Sequence, residues 1–137
     1  MIKRARTNSG TAAIRSKDDN PEPRDNWVAT IPLKDLLNRI VHPPTRPVLI
    51  KIDVEGFEPE VLVGLDFDGP FRPKNILMEF DPQLAMSAWE SPDRLQSFFA
   101  ARNYDVLDVF GNPLHDLGSA PEQNVWARDR RADRAES

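Results

Sequence analysis

The feature that most constrains this chain is a pair of aliphatic runs, VLIKID at residues 48–53 and NILMEF at residues 75–80, with a short amphipathic stretch between them. Both runs are too short for a stable helix and rich in β-branched or aliphatic side chains. Each therefore reads as a strand buried on both faces, as in a parallel sheet. Parallel neighbours cannot be joined by a tight turn and need a crossover, usually helical. Residues 59–64 (PEVLVG) supply one or two helical turns that pack Val61 and Leu62, with Gly64 as terminator. Residues 66–74 (DFDGPFRPK) read as loop, because Gly-Pro and Arg-Pro break any regular element.

The same alternation extends to either side. Residues 26–31 (NWVATI) read as a short strand, and a helix follows from Pro32, a residue suited to a first helical turn. Leu33, Leu36, Leu37 and Ile40 fall at i, i+3, i+4 and i+7, which makes one apolar stripe. His42-Pro43-Pro44 ends it, since the residue before a proline is pushed out of helical geometry. Ser91 before Pro92 opens another helix to about Arg102, with Leu95, Phe98 and Phe99 inward. Residues 104–109 alternate as a half-buried strand, Gly111-Asn112-Pro113 turns the chain, and residues 123–127 (QNVWA) form the last strand. The order predicts an α/β sandwich whose sheet is mostly parallel with an antiparallel end.

A length of 137 residues fits one domain. Residues 1–26 and 128–137 carry many charges and few large apolar side chains, too little to offset the entropy of ordering. Both ends are expected to be mostly disordered, leaving residues 27–127 as the domain. The chain has no cysteine, which excludes disulfides and thiolate chemistry and fits a cytoplasmic location. No stretch has the roughly 18 consecutive apolar residues of a membrane span, so no membrane partner is expected. The net charge of −4 argues against a nucleic-acid partner. The basic run at residues 128–134 is interleaved with Asp129 and Asp133 and reads as a solvated tail.

In open α/β sheets, ligands sit beyond the carboxyl ends of the strands. Asp53 closes the first run, Glu79 stands near the close of the second, and Glu55 lies in the turn after Asp53. Three carboxylates facing one rim could act as a general base toward a hydroxyl or amine, hydrogen-bond a polar cofactor, or bind a hard divalent cation. The bland alternative is that Asp53 and Glu55 cap the next helix while Glu79 pairs with a basic residue. Lys51 reads as a salt-bridge partner. His42 and His115 lie in loops beside prolines with no second histidine at ligand spacing, and no metal site is expected. Neither GxGxxG nor GxxxxGK[ST] occurs, so the usual backbone cradle for a nucleotide is not encoded in these residues.

Residues 49–65, LIKIDVEGFEPEVLVGL, resemble the signature of the FkbM-family methyltransferases: a strand ending in K-I-D-x-E-G, then a short helix of the type E-x-x-V-L-x-G. Lys51, Ile52, Asp53, Glu55, Gly56, Glu58, Val61, Leu62 and Gly64 all match, and the likeness extends over roughly residues 7–128. The resemblance implies a Rossmann-like sandwich that moves a methyl group from S-adenosylmethionine, usually to a hydroxyl oxygen of a small molecule or sugar. It implies catalytic roles for Asp53, Glu55 and Glu79 around one pocket, with Asp53 and Gly56 against the cofactor. The family's first strand, glycine loop and ribose-holding acid precede the matched part. The chain is therefore expected to correspond to the C-terminal half of the domain, with the N-terminal cofactor-binding strands missing. That first strand would lie beside residues 48–53, which become an exposed apolar edge open to a second copy or another chain. The resemblance thus leaves an alternative, a non-catalytic remnant or interaction module that pairs through this edge.

Overall fold

In the computed structural model, residues 2–6, 12–15, 26–28, 30–54, 57–81, 93–117 and 123–132 are described. The elements, in order, are β1 (Ile2–Arg6), β2 (Ala12–Arg15), β3 (Asn26–Val28), α1 (Leu33–Ile40), β4 (Leu49–Ile52), α2 (Glu58–Val63), β5 (Asn75–Phe80), α3 (Asp93–Ala100), β6 (Tyr104–Leu107) and β7 (Gln123–Asp129). They form a three-stranded sheet, β2-β1-β3, and a four-stranded sheet, β4-β5-β7-β6.

The larger sheet is mixed. β4 and β5 run parallel in the register Leu49↔Asn75 to Ile52↔Met78. β7 is antiparallel to both β5 and β6, so β4, β5 and β6 share one direction. The expected parallel sheet with an antiparallel strand is therefore present, as part of a Rossmann-like arrangement. The antiparallel strand is inserted between β5 and β6 rather than added outside them.

Burial explains which face the core uses. Along β5, Ile76, Met78 and Phe80 are buried, while Asn75, Leu77 and Glu79 between them are only half-buried. β7 repeats this, with Val125, Ala127 and Asp129 buried between Asn124, Trp126 and Arg128. Leu62 of α2 and Leu95 and Phe99 of α3 join the same cluster as Ile52, Ile76, Met78 and Phe80, so both helices cover one face. Phe67, Phe98 and Tyr104 extend it with edge-to-face ring contacts at 5.4 and 5.6 Å. The expectation that residues 48–53 and 75–80 are buried on both faces is corrected. In β4 only Ile52 is buried, and Leu49 is 57 % exposed. Among the described residues nothing pairs with β4 beyond β5, and the helical layer lies on one side of the sheet.

Both chain ends depart from the sequence reading. Residues 2–6 and 12–15, expected within a disordered segment, are antiparallel strands with β3 on the far side of β1. Backbone ladders of this kind need no long apolar run, because the main chain carries the hydrogen bonds. At the other end β7 continues to Asp129 instead of stopping at Ala127. Asp129 is fully buried, where Arg72 donates to both its oxygens at 2.8 and 2.7 Å. Arg46 also bonds it, and the Arg131 amide donates at 3.1 Å. A buried carboxylate is stable only when so paired. The cluster ties the loop before β5 to the end of β7, and Tyr104 reinforces it by donating to the Pro73 carbonyl at 2.5 Å.

Candidate functional site

The local geometry begins at the end of β4. Ile52 and Met78 are the last parallel partners, so one step on, Asp53 leaves its strand beside Glu79 of β5. Side chains alternate along a strand, which puts Lys51 and Asp53 on one face and sends Ile52 to the core. Lys51 Nζ lies 2.6 Å from Asp53 Oδ2, and the two side chains are 60 % and 41 % exposed. The structure therefore brings Asp53 and Glu79 together around Lys51, at the carboxyl end of the sheet.

The electrostatics follow from this packing. The hydrogen bond from Lys51, then its charge, holds the Asp53 carboxyl below its ordinary range, and a hydrogen bond with Glu79 acts in the same direction. Reciprocally, the bond to Asp53 and its charge raise the Lys51 ammonium, with a smaller contribution from the charge of Glu79. Asp53 is thus an ionised acceptor near neutral pH, open to solvent on one side. Such a group can receive a hydrogen bond from a hydroxyl or an ammonium, or take a proton in a reaction.

The turn that follows is pinned from below. Glu58, the first residue of α2, is buried and its Oε1 accepts from the Val54 amide at 3.3 Å. The Phe57 amide donates to the Val54 carbonyl at 3.3 Å. Sequence reasoning passed over Glu58 as one matching letter of the motif. Its signal is an acid four residues after an orphan strand-end amide, able to reach back as capping acids do. The capping role first considered for Asp53 is not seen, because its carboxylate is engaged by Lys51. Glu55 and Gly56 lie outside the described residues.

Beside the site, α1 and α2 enclose a groove of about 670 Å³ lined mainly by apolar residues, including Ile31, Leu36, Val61 and Val63, with Phe57 and Glu60. Burial raises the Glu60 carboxyl above its usual value. Gly64 permits the close approach of α1: a Cβ there would stand 3.3 Å from the Val61 oxygen and 3.6 Å from Cα of Pro32. The Lys34 amide donates to the Gly64 carbonyl at 3.2 Å. The histidines stay apart from this region, His42 in the segment after α1 and His115 near β6. Among the described residues no three acids or histidines gather at metal-binding spacing, and no helix is long and apolar enough to cross a membrane.

S-adenosylmethionine, the cofactor that the resemblance implies, carries a cationic methionine end and a ribose diol. The open face of Asp53 suits either, since an ionised carboxylate accepts hydrogen bonds from both. Comparison with known proteins bears on the same region. Residues 6–106 match the Methyltransferase FkbM domain, a span that contains β4, the turn, α2 and β5. No match was found among curated proteins or among solved structures. With its strand-end acids in register and most of its length matched, the chain belongs to the FkbM methyltransferase family.

Proposed function

We propose that this domain serves the transfer of a methyl group from S-adenosylmethionine to a hydroxyl of a small molecule or sugar, in the cytoplasm. The observation that carries the reading is the Lys51–Asp53 pair beside Glu79, placed at the carboxyl end of parallel strands within the family signature. When bound, the cofactor supplies an electrophilic methyl carbon on a sulfonium. Asp53, kept ionised by Lys51, accepts a hydrogen bond from the cofactor's ammonium or from the acceptor hydroxyl, and so orients it. Glu79 gives the rim a second carboxylate, able to take the proton that the acceptor oxygen loses as its bond to carbon forms. Glu58 acts at one remove, by holding the Val54 amide just past the end of β4.

The test is transfer of labelled methyl groups to a panel of hydroxyl compounds. Asp53→Ala should lower turnover about 100-fold or more, the size of effect that general-base groups supply. Unchanged turnover would remove Asp53 from the site. These residues include no glycine-rich cradle, so calorimetry on the chain alone should find weak cofactor binding. Micromolar affinity would show that another backbone arrangement holds the cofactor.

A further inference from the structure

We propose that Asn124 extends the acceptor side of the site and selects a cyclic compound with hydroxyls on two adjacent carbons, an inference that rests on the methyl-transfer reading above. The placement follows from register. Glu79 and Asn124 are directly opposed partners of β5 and β7, and opposed residues of an antiparallel pair share one face. That face is the one away from the helices, because the neighbouring pair Met78 and Val125 is buried in the core. Asp53 joins the row through its hydrogen bonds with Lys51 and Glu79. Two carboxyl groups and one amide therefore follow one another across β4, β5 and β7 at the carboxyl rim of the parallel strands. Asn124 is exposed to solvent there.

One step back from the rim, the same face carries an apolar floor. Lys51 is opposite Leu77 and Leu77 is opposite Trp126, so Leu77 and the indole lie side by side behind the polar row. The indole is fixed at both ends. Its Nε1 donates to Asn75 Oδ1 at 3.0 Å, and Gly111 stands against the far edge, where a Cβ would come within 3.7 Å of Cζ3. Leu77 and Trp126 are both half-buried, which leaves part of each surface open. A few polar groups above an apolar floor suit a ring with one apolar face and hydroxyls along its edge. A carboxyl oxygen accepts from a hydroxyl, whereas the amide of Asn124 both donates and accepts. With Cβ atoms about 5 Å apart, the two residues can share neighbouring hydroxyls of one ring. Glu79 accepts from the hydroxyl to be methylated, and Asn124 donates to the next. An alcohol without that second hydroxyl gives Asn124 nothing to bind.

Binding is the test, read by NMR on the full chain without cofactor so that it does not depend on turnover. Methyl glucoside, methyl mannoside and methyl galactoside are titrated in, each beside its singly deoxygenated analogues. At least one glycoside should shift the Asn124 side-chain amide and the Trp126 indole N–H together. The analogue lacking the hydroxyl that Asn124 holds should bind about five- to tenfold more weakly. Asn124→Ala, a change at an exposed position, should weaken the glycoside by the same factor and leave that analogue unaffected. No shift at either group, equal binding of every analogue, or an Asn124→Ala chain that binds as the parent does would each overturn the proposal. Glycoside binding without methyl transfer would instead count against the transfer reading, and transfer to simple alcohols without glycoside binding would spare that reading and sink this one.

Discussion

The two flanks of the larger sheet are built on opposite terms. On the β7 side, Asp129 is buried without exposure and held by Arg72 and Arg46, and the aromatic cluster of Phe67, Phe99 and Tyr104 closes over the strands. On the β4 side, aliphatic residues face solvent and the charged pair Lys51–Asp53 is open. Polar groups are inside on the first flank, and apolar groups are outside on the second. The difference teaches that the exposed face of the flank beside the candidate site contributes little to the stability of this chain, and that its apolar surface is available for binding.

The comparison can be broken by substitution. Asp129→Ala should cost the most, about 3–5 kcal/mol in urea unfolding, because it leaves Arg72 buried without its carboxylate. A loss below about 1 kcal/mol would mean that this flank is not the anchor. Leu62→Ala, at a fully buried position, should cost about 2–5 kcal/mol, whereas Ile40→Ala, 65 % exposed on α1, should stay within about 0.5 kcal/mol. Equal losses would show that α1 is packed in solution.

Acid supplies a gentler probe. Burial alone would push the Asp129 carboxyl up, but the hydrogen bonds from Arg72 and the Arg131 amide, with the charges of Arg72 and Arg46, bring it down to about 2. A carboxyl depressed in the folded state contributes its stability above its unfolded value near 3.8 and loses it as pH falls through the folded one. About 2 kcal/mol should therefore disappear between about pH 4 and about pH 2, and an Asp129→Asn chain should show a flatter profile there. The smallest effect is expected at the open flank. Lys51→Met should move the Asp53 carboxyl titration upward by NMR with no change in the unfolding midpoint, and an unmoved titration would separate Lys51 from the site.

Much of this was legible in the residues. Alternating strands and helices, the acids at strand ends and the short helix after K-I-D-x-E-G follow from local patterns, and the structure keeps them. What covers a strand's second face is a matter of distant segments, so VLIKID looked buried on both sides when one side is bare. Asp129 was hidden for a related reason. It stands in a charged tail, and its partners Arg72 and Arg46 are 57 and 83 residues away in sequence. The strands within residues 1–26 were missed because apolar content was the test, and backbone pairing does not require it.

The position of β7 has a consequence for how the protein is made. It is the last of the described strands in sequence, yet it stands between β5 and β6, and β6 joins the sheet only through it. During synthesis, β5 and β6 emerge from the ribosome before their shared neighbour exists, with Phe80, Tyr104 and Leu107 still lacking that part of their packing. The sheet can close only once Asp129 has been translated and its carboxylate reaches Arg72. Until then the apolar faces of β5 and β6 lack that cover, which leaves the nascent chain more aggregation-prone than its small size implies.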